Sequence, residues 1–161
     1  MMAEQEQTGQ VIAYIVRETI VSAAINGVIS ALFFFAIFGT AWRIAAGEWG
    51  YAIDFLPQSA AVALMACMVP GMIARRAQRT GRLAGDNGRP VTVQWLLRTA
   101  FVSVLYALLL GAVIASFWMF SIVATLDWPV ALLMKIIYGA VLGAWVTRHV
   151  LRRMVRGAPL T

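Results

Sequence analysis

Long apolar windows separated by short charged segments dominate the pattern along this chain. Each window approaches the roughly 20 residues that a helix needs to cross the hydrocarbon core of a bilayer. The charged residues cluster at 4–18, 43–54, 75–98 and 148–156, which leaves apolar windows near 19–42, 56–74, 99–126 and 128–147. The pattern predicts an all-α integral membrane protein, a bundle of four transmembrane helices near 11–42, 57–79, 92–122 and 128–153.

The segment before the first window leaves the start of the first helix open. Residues 11–18 either extend that helix or lie at the membrane interface, because their apolar residues meet charge at Arg17 and Glu18. Residues 1–10 are polar, and we expect them to fray. They are acidic rather than basic, and the apolar run after them exceeds a signal h-region, so we do not expect a cleaved secretory signal.

Composition and charge agree with this class and orient the chain. With 61% hydrophobic and 12% charged residues, the chain is far less charged than a soluble domain, in which about a quarter are charged. Eleven arginines fall on one side of a four-pass topology and only Arg43 falls on the other. The positive-inside rule then places both termini and the central loop in the cytoplasm. We expect a multi-pass protein of the bacterial cytoplasmic (inner) membrane.

The net charge of +6 suggests an anionic partner, either nucleic acid or lipid headgroups. Because the arginines flank the predicted helices, anionic lipid headgroups on the cytoplasmic face explain the charge better than nucleic acid does. We do not expect nucleic-acid binding. The arginines predicted to contact headgroups are Arg75, Arg76, Arg79, Arg152 and Arg153.

The two halves of the chain show a similar order of features. Pro57 and Pro129, 72 residues apart, each begin a predicted helix, and the same shift aligns Gly71 with Gly143. The sequence therefore predicts one membrane domain (1–161) made of two tandem helical hairpins inserted in the same direction, a parallel 2+2 repeat. Shared packing chemistry without duplication is the alternative. The predicted parts are a first hairpin (1–80), a basic cytoplasmic loop (81–91) and a second hairpin with a basic tail (92–161).

Small residues recur at every fourth position along the predicted helices. Gly27 and Gly111 lie in such stripes, and Gly139 and Gly143 form a GxxxG motif. Residues four apart lie one above the other on a helix, and transmembrane helices associate through close backbone approach. We expect these four glycines at helix–helix contacts, within the chain or in a homo-oligomer.

Lys135 lies on the same stripe, four residues before Gly139. Counted from Asp127 at about 1.5 Å per residue, it is about 12 Å inside the membrane, where an ammonium costs about 2.5–3.5 kcal/mol. We expect its side chain to snorkel outward or to pair with an oxygen acceptor. Asp54 is the best protein candidate, since the starts of the second and fourth helices should lie near each other. A functional role, as an anionic-ligand site, a gate or a recognition charge, is the alternative.

Catalytic and cofactor-binding residues are scarce. Cys67 and His149 are each the only residue of their kind, which excludes a disulfide within the chain and bis-histidine haem ligation. Asp54 and Asp127 could form a paired acid site, but an aspartate just before a helix is the usual capping residue, and we favour capping. We expect neither an enzyme nor a bound metal or cofactor.

Two functions remain open. The first is a non-catalytic accessory or structural protein that docks a membrane partner or self-associates through its small-residue faces. The second is a small oligomeric transporter or channel whose path is lined by Lys135 and Asn26. We favour the first, because the intramembrane polar inventory is small and ion coupling usually needs an intramembrane carboxylate.

Overall fold

The computed structural model describes residues 2–40, 42–46, 50–81 and 91–155, with side chains described from residue 9 onward. The predicted class is confirmed at the level of four helices that are long and apolar enough to span a membrane, arranged as a helical bundle. Most of the predicted basic loop (82–90) and the end of the basic tail (156–161) lie outside the described residues. The elements are α1 Met2–Phe38, β1 Arg43–Ala45, α2 Phe55–Arg79, α3 Val93–Met119, β2 Thr125–Asp127 and α4 Trp128–Val155.

The first helix differs from its prediction at both ends. It begins at Met2, so residues 11–18 extend it, and residues 2–10, which we expected to fray, also have helical backbone. It ends at Phe38 instead of 42, because Gly39 adopts a left-handed φ of 57° that stops the helix. The amide of Gly39 still donates to the carbonyl of Phe35 at 3.0 Å. The other helix ends agree with the prediction to within a few residues.

A small antiparallel strand pair links the two loops that follow α1 and α3, at one end of the bundle. Strands β1 and β2 pair in the register Arg43↔Asp127, Ile44↔Leu126 and Ala45↔Thr125. Strands of three residues are too short to show an alternating pattern, so this pairing could not be predicted from local periodicity.

Helices α2 and α4 form the centre of the bundle and pack against each other. Helix α1 packs along α4 and helix α3 packs along α2, and these two interfaces are the most extensive ones. Helices α1 and α2 share a smaller interface, while α3 and α4 barely touch. The members of each predicted hairpin are therefore not each other's principal packing partners.

Buried apolar side chains form two clusters. One runs along α2, α3 and α4 away from the strands and includes Val62, Leu96 and Val150. The other lies beside the strand pair and is largely aromatic. Its members include Phe34, Tyr51, Phe55, Trp118 and Ala131. This second cluster surrounds the only lysine of the chain.

Candidate functional site

A buried ion pair joins α4 to the start of α2. The Nζ atom of Lys135 lies 2.9 Å from Oδ2 of Asp54, and the two side chains are 0% and 2% exposed. Lys135 is two turns into α4, and Asp54 directly precedes α2. The partner is thus the carboxylate that the sequence had singled out. The ammonium therefore does not reach the surface of the bundle, and it has a counterion.

Two aromatic rings complete the surroundings of the ammonium. Nζ of Lys135 is 3.5 Å from the centroid of the Phe55 ring and 4.9 Å from that of Tyr51, both within the range of a cation–π interaction. The Tyr51 hydroxyl donates to the carbonyl of Ala131 at 3.1 Å. Burial, with a smaller contribution from the charge of Asp54, raises the pKa of Tyr51. The phenol is therefore held protonated as a donor.

The ion pair retains unused hydrogen-bonding capacity. The side-chain amide of Gln58 donates to the backbone carbonyl of Lys135 at 3.3 Å. Among the described residues, however, no well-aligned hydrogen bond reaches the Asp54 oxygens, Gln58 Oε1 or Lys135 Nζ. The short contact between Lys135 and Asp54 is therefore an ion pair without a well-aligned hydrogen bond. The charge of Asp54 and the two aromatic faces offset the cost of burying the ammonium.

A second polar cluster lies deeper, where α1 meets α4. The amide nitrogen of Asn26 donates to the carbonyl of Ser22 at 2.8 Å and to its hydroxyl at 3.0 Å. The hydroxyls of Ser22 and Thr147 share a hydrogen bond of 2.6 Å, and Thr147 also lies 2.9 Å from the carbonyl of Ala66 on α2. This network connects α1, α4 and α2. Asn26 is 2% exposed, so it lies inside the bundle.

The GxxxG glycines of α4 make room for this cluster. A Cβ atom on Gly143 would lie 2.5–2.7 Å from side-chain atoms of Asn26, and one on Gly139 would overlap Ser30. Gly111 on α3 is similarly close to α2, where a Cβ atom would lie 2.5 Å from Ser59 Oγ. Gly27 is less crowded, since a Cβ atom would make ordinary contacts with α4 at 3.5 Å or more. All four positions lie at contacts within the chain.

The two aspartates have separate environments, and the capping role that we favoured was wrong for Asp54. Asp54 occupies the N-cap position of α2 in an αR conformation, and its side chain makes no cap hydrogen bond. It pairs with Lys135 instead, because an ammonium buried without a counterion would be strongly destabilising. Asp127 is exposed and lies in β2 opposite Arg43.

Several residues of these clusters escaped the sequence analysis. On α1 we had named Asn26 and the small-residue stripe through Gly27, but Asn26 belongs to a buried polar stripe with Ser22 and Ser30. The spacing of four between these polar residues was the available signal. Tyr51 is a further such residue, and it is fully buried. No local pattern showed that its ring would face an ammonium on another helix.

The arginines predicted to contact headgroups differ in exposure. Arg76, Arg79 and Arg152 are exposed, as headgroup contacts require. Arg75 is half-buried and donates to the carbonyl of Val91 at 2.8 Å, which ties the end of α2 to the approach to α3. Arg153 is half-buried and lines a groove between α3 and α4.

Within the described ranges, no group of three or more histidine, cysteine or acidic residues could hold a metal ion. No protein-family model matches the chain, and no curated protein or solved structure shows significant similarity to it.

Proposed function

We propose that this chain is a non-catalytic accessory or structural protein of a bacterial cytoplasmic membrane, with both termini in the cytoplasm and no nucleic-acid partner. The observation that carries the proposal is the inward pairing of its polar groups. Lys135 is fully buried and pairs with Asp54, and Asn26 bonds to Ser22. A site for catalysis or transport would instead direct such groups toward a substrate.

The predicted 2+2 repeat is part of the proposal, and the packing supports it. A two-fold axis along the membrane normal would exchange α1 with α3 and α2 with α4. It would then convert the interface of α1 and α4 into that of α3 and α2, and these are the two most extensive interfaces. The same axis would exchange β1 with β2, which pair antiparallel with their central residues Ile44 and Leu126 opposite each other.

The partner surface has to differ from the one we first expected. The small-residue faces of α4 and α3 are occupied within the chain, since Gly139 and Gly143 contact α1 and Gly111 contacts α2. Helix α3 packs mainly on α2, and its other broad apolar side is exposed among the residues that the structure describes. We assign the docking role, toward a membrane partner or a second copy, to this side, which includes Leu105 and Leu109.

Crosslinking in native membranes tests the docking role. A photoreactive residue at Leu109, which is 64% exposed, should give an adduct of defined mass with a second copy or another membrane protein. The matched control is Ala107, two positions earlier, which is only 1% exposed and packs in the core with α2. A photoreactive residue there should give no adduct between chains. If neither position yields an adduct between chains, the docking role of α3 is wrong.

The alternative, an oligomeric transporter, has one observation in its favour. Buried oxygens with no hydrogen-bond partner among the described residues occur at Asp54, Gln58 and Asn26, at successive depths in the bundle. Reconstitution into liposomes separates the two functions. The accessory role predicts proton and potassium flux equal to that of protein-free liposomes. Saturable flux that disappears in Lys135→Met would contradict the accessory role and support the transporter.

A further inference from the structure

A groove opens between α3 and α4, the two neighbouring helices that barely touch. Its volume is about 400 Å³, and all of its lining residues are described by the structure. It starts near the C-terminal end of α4 and extends for about two turns along both helices. The lining consists of Thr99, Val102, Ser103, Tyr106, Trp145, Val146, His149 and Arg153.

The groove is polar and basic at one end and apolar along its length. Arg153 and His149 lie toward the end of α4, and the Trp145 ring stacks on the His149 imidazole with centroids 5.9 Å apart. Deeper in the groove, Tyr106 and Trp145 are 60% and 54% exposed. Helices α3 and α4 contain no acidic residue. Neither helix can therefore neutralise Arg153 from within the groove.

We propose that this groove binds one anionic phospholipid from the bilayer, with its phosphate at Arg153 and His149 and an acyl chain lying between α3 and α4. Guanidinium and imidazole donors match phosphate oxygens, and charge assistance strengthens such hydrogen bonds. The rings of Tyr106 and Trp145, deeper in the groove, provide apolar surface for the acyl chain. The site is more specific than the general attraction of basic residues to an anionic membrane surface, because a single arginine of the pair Arg152 and Arg153 lines it.

The test is lipid titration of the purified protein in detergent, followed by native mass spectrometry. We expect one phosphatidylglycerol to bind in preference to phosphatidylcholine. Arg153→Gln should weaken phosphatidylglycerol binding about tenfold, which is the loss of affinity expected when one charge-assisted hydrogen bond is removed. The matched control is Arg152→Gln, which removes the same charge from the adjacent exposed position and should change binding less than twofold.

Val102→Phe provides an independent variant, because Val102 lines the groove and is only half-buried, and the larger ring fills the groove without changing charge. It should weaken binding of both lipids at an unchanged melting temperature measured without added lipid. Equal losses in Arg152→Gln and Arg153→Gln would show a diffuse basic surface and overturn the site. Inorganic phosphate that competes at equal concentration would show an anion site without a lipid chain, and would also overturn the proposal.

Discussion

Removing the carboxylate of the buried ion pair should destabilise the protein more than removing the whole pair. Asp54→Asn keeps the shape of the side chain but leaves the Lys135 ammonium without its counterion, in a site where Lys135 is 0% exposed. At 2.9 Å and an effective dielectric constant of about 20, two unit charges attract by about 6 kcal/mol. This attraction offsets desolvation penalties of several kcal/mol per ion, so the net contribution of the intact pair is small.

The magnitudes follow from this balance. Replacing one member of the pair leaves the other charge buried without compensation for its desolvation. We therefore expect Asp54→Asn to lower the free energy of unfolding by about 3–5 kcal/mol. Lys135→Met should also destabilise, because it leaves the Asp54 carboxylate buried alone. The double variant removes both charges and retains the bulk of the lysine stem. It should fall near the wild-type stability or above it.

The assay is reversible unfolding in mixed micelles, followed by tryptophan fluorescence, for all four members of the double-mutant cycle. Asp127→Asn is the matched control, since Asp127 also directly precedes a helix but is exposed and outside the ion pair. We expect it to change stability little. The reasoning would be refuted if Asp54→Asn behaved like this control, or if the double variant lost as much stability as the two single variants combined.

Three further outcomes are expected. Gly143→Ala should lower thermal stability in detergent, because its Cβ atom would lie within 2.7 Å of a neighbouring side chain, whereas Gly9→Ala, with nothing within 4 Å, should not. Thr147→Val should cost about 1 kcal/mol in unfolding experiments, since it removes a hydroxyl that bonds across helices; an unchanged value would show that this network adds nothing. Cysteine labelling in intact cells should modify Thr125→Cys and leave Thr80→Cys unmodified, and the reverse result would invert the topology.

The helices could be predicted from the sequence because each contains its own signal. A run of apolar residues bounded by charge marks a candidate span without reference to any other segment. The position of Lys135 on a small-residue stripe likewise indicated that it lies inside the protein. The predicted end of α1 was wrong only because Gly39 stops the helix before the apolar run ends. Helix ends of this kind depend on one residue's conformation and not on periodicity.

The packing order and the details of the site could not be predicted in the same way. Which helices touch depends on side-chain fit between distant segments, and the tandem hairpins gave no reason to expect α1 on α4. The position of Asp54 shows the difference between local and tertiary information. Its local pattern favoured a cap, but the buried charge of Lys135 outweighs a cap hydrogen bond once the two helices meet.

Several polar contacts that join the two halves of the chain lie at the end of the bundle that carries the strand pair. Besides the ion pair, Tyr51 donates to the carbonyl of Ala131, and the Trp128 indole donates to the carbonyl of Gly39 at 2.9 Å. Between apolar helices in lipid, the hydrophobic effect gives little preference for one register over another. Directional contacts do give such a preference, because sliding either half by one turn would leave a buried charge unpaired. The ion pair and its neighbours therefore select a single arrangement of the helices, even though their net contribution to stability is small.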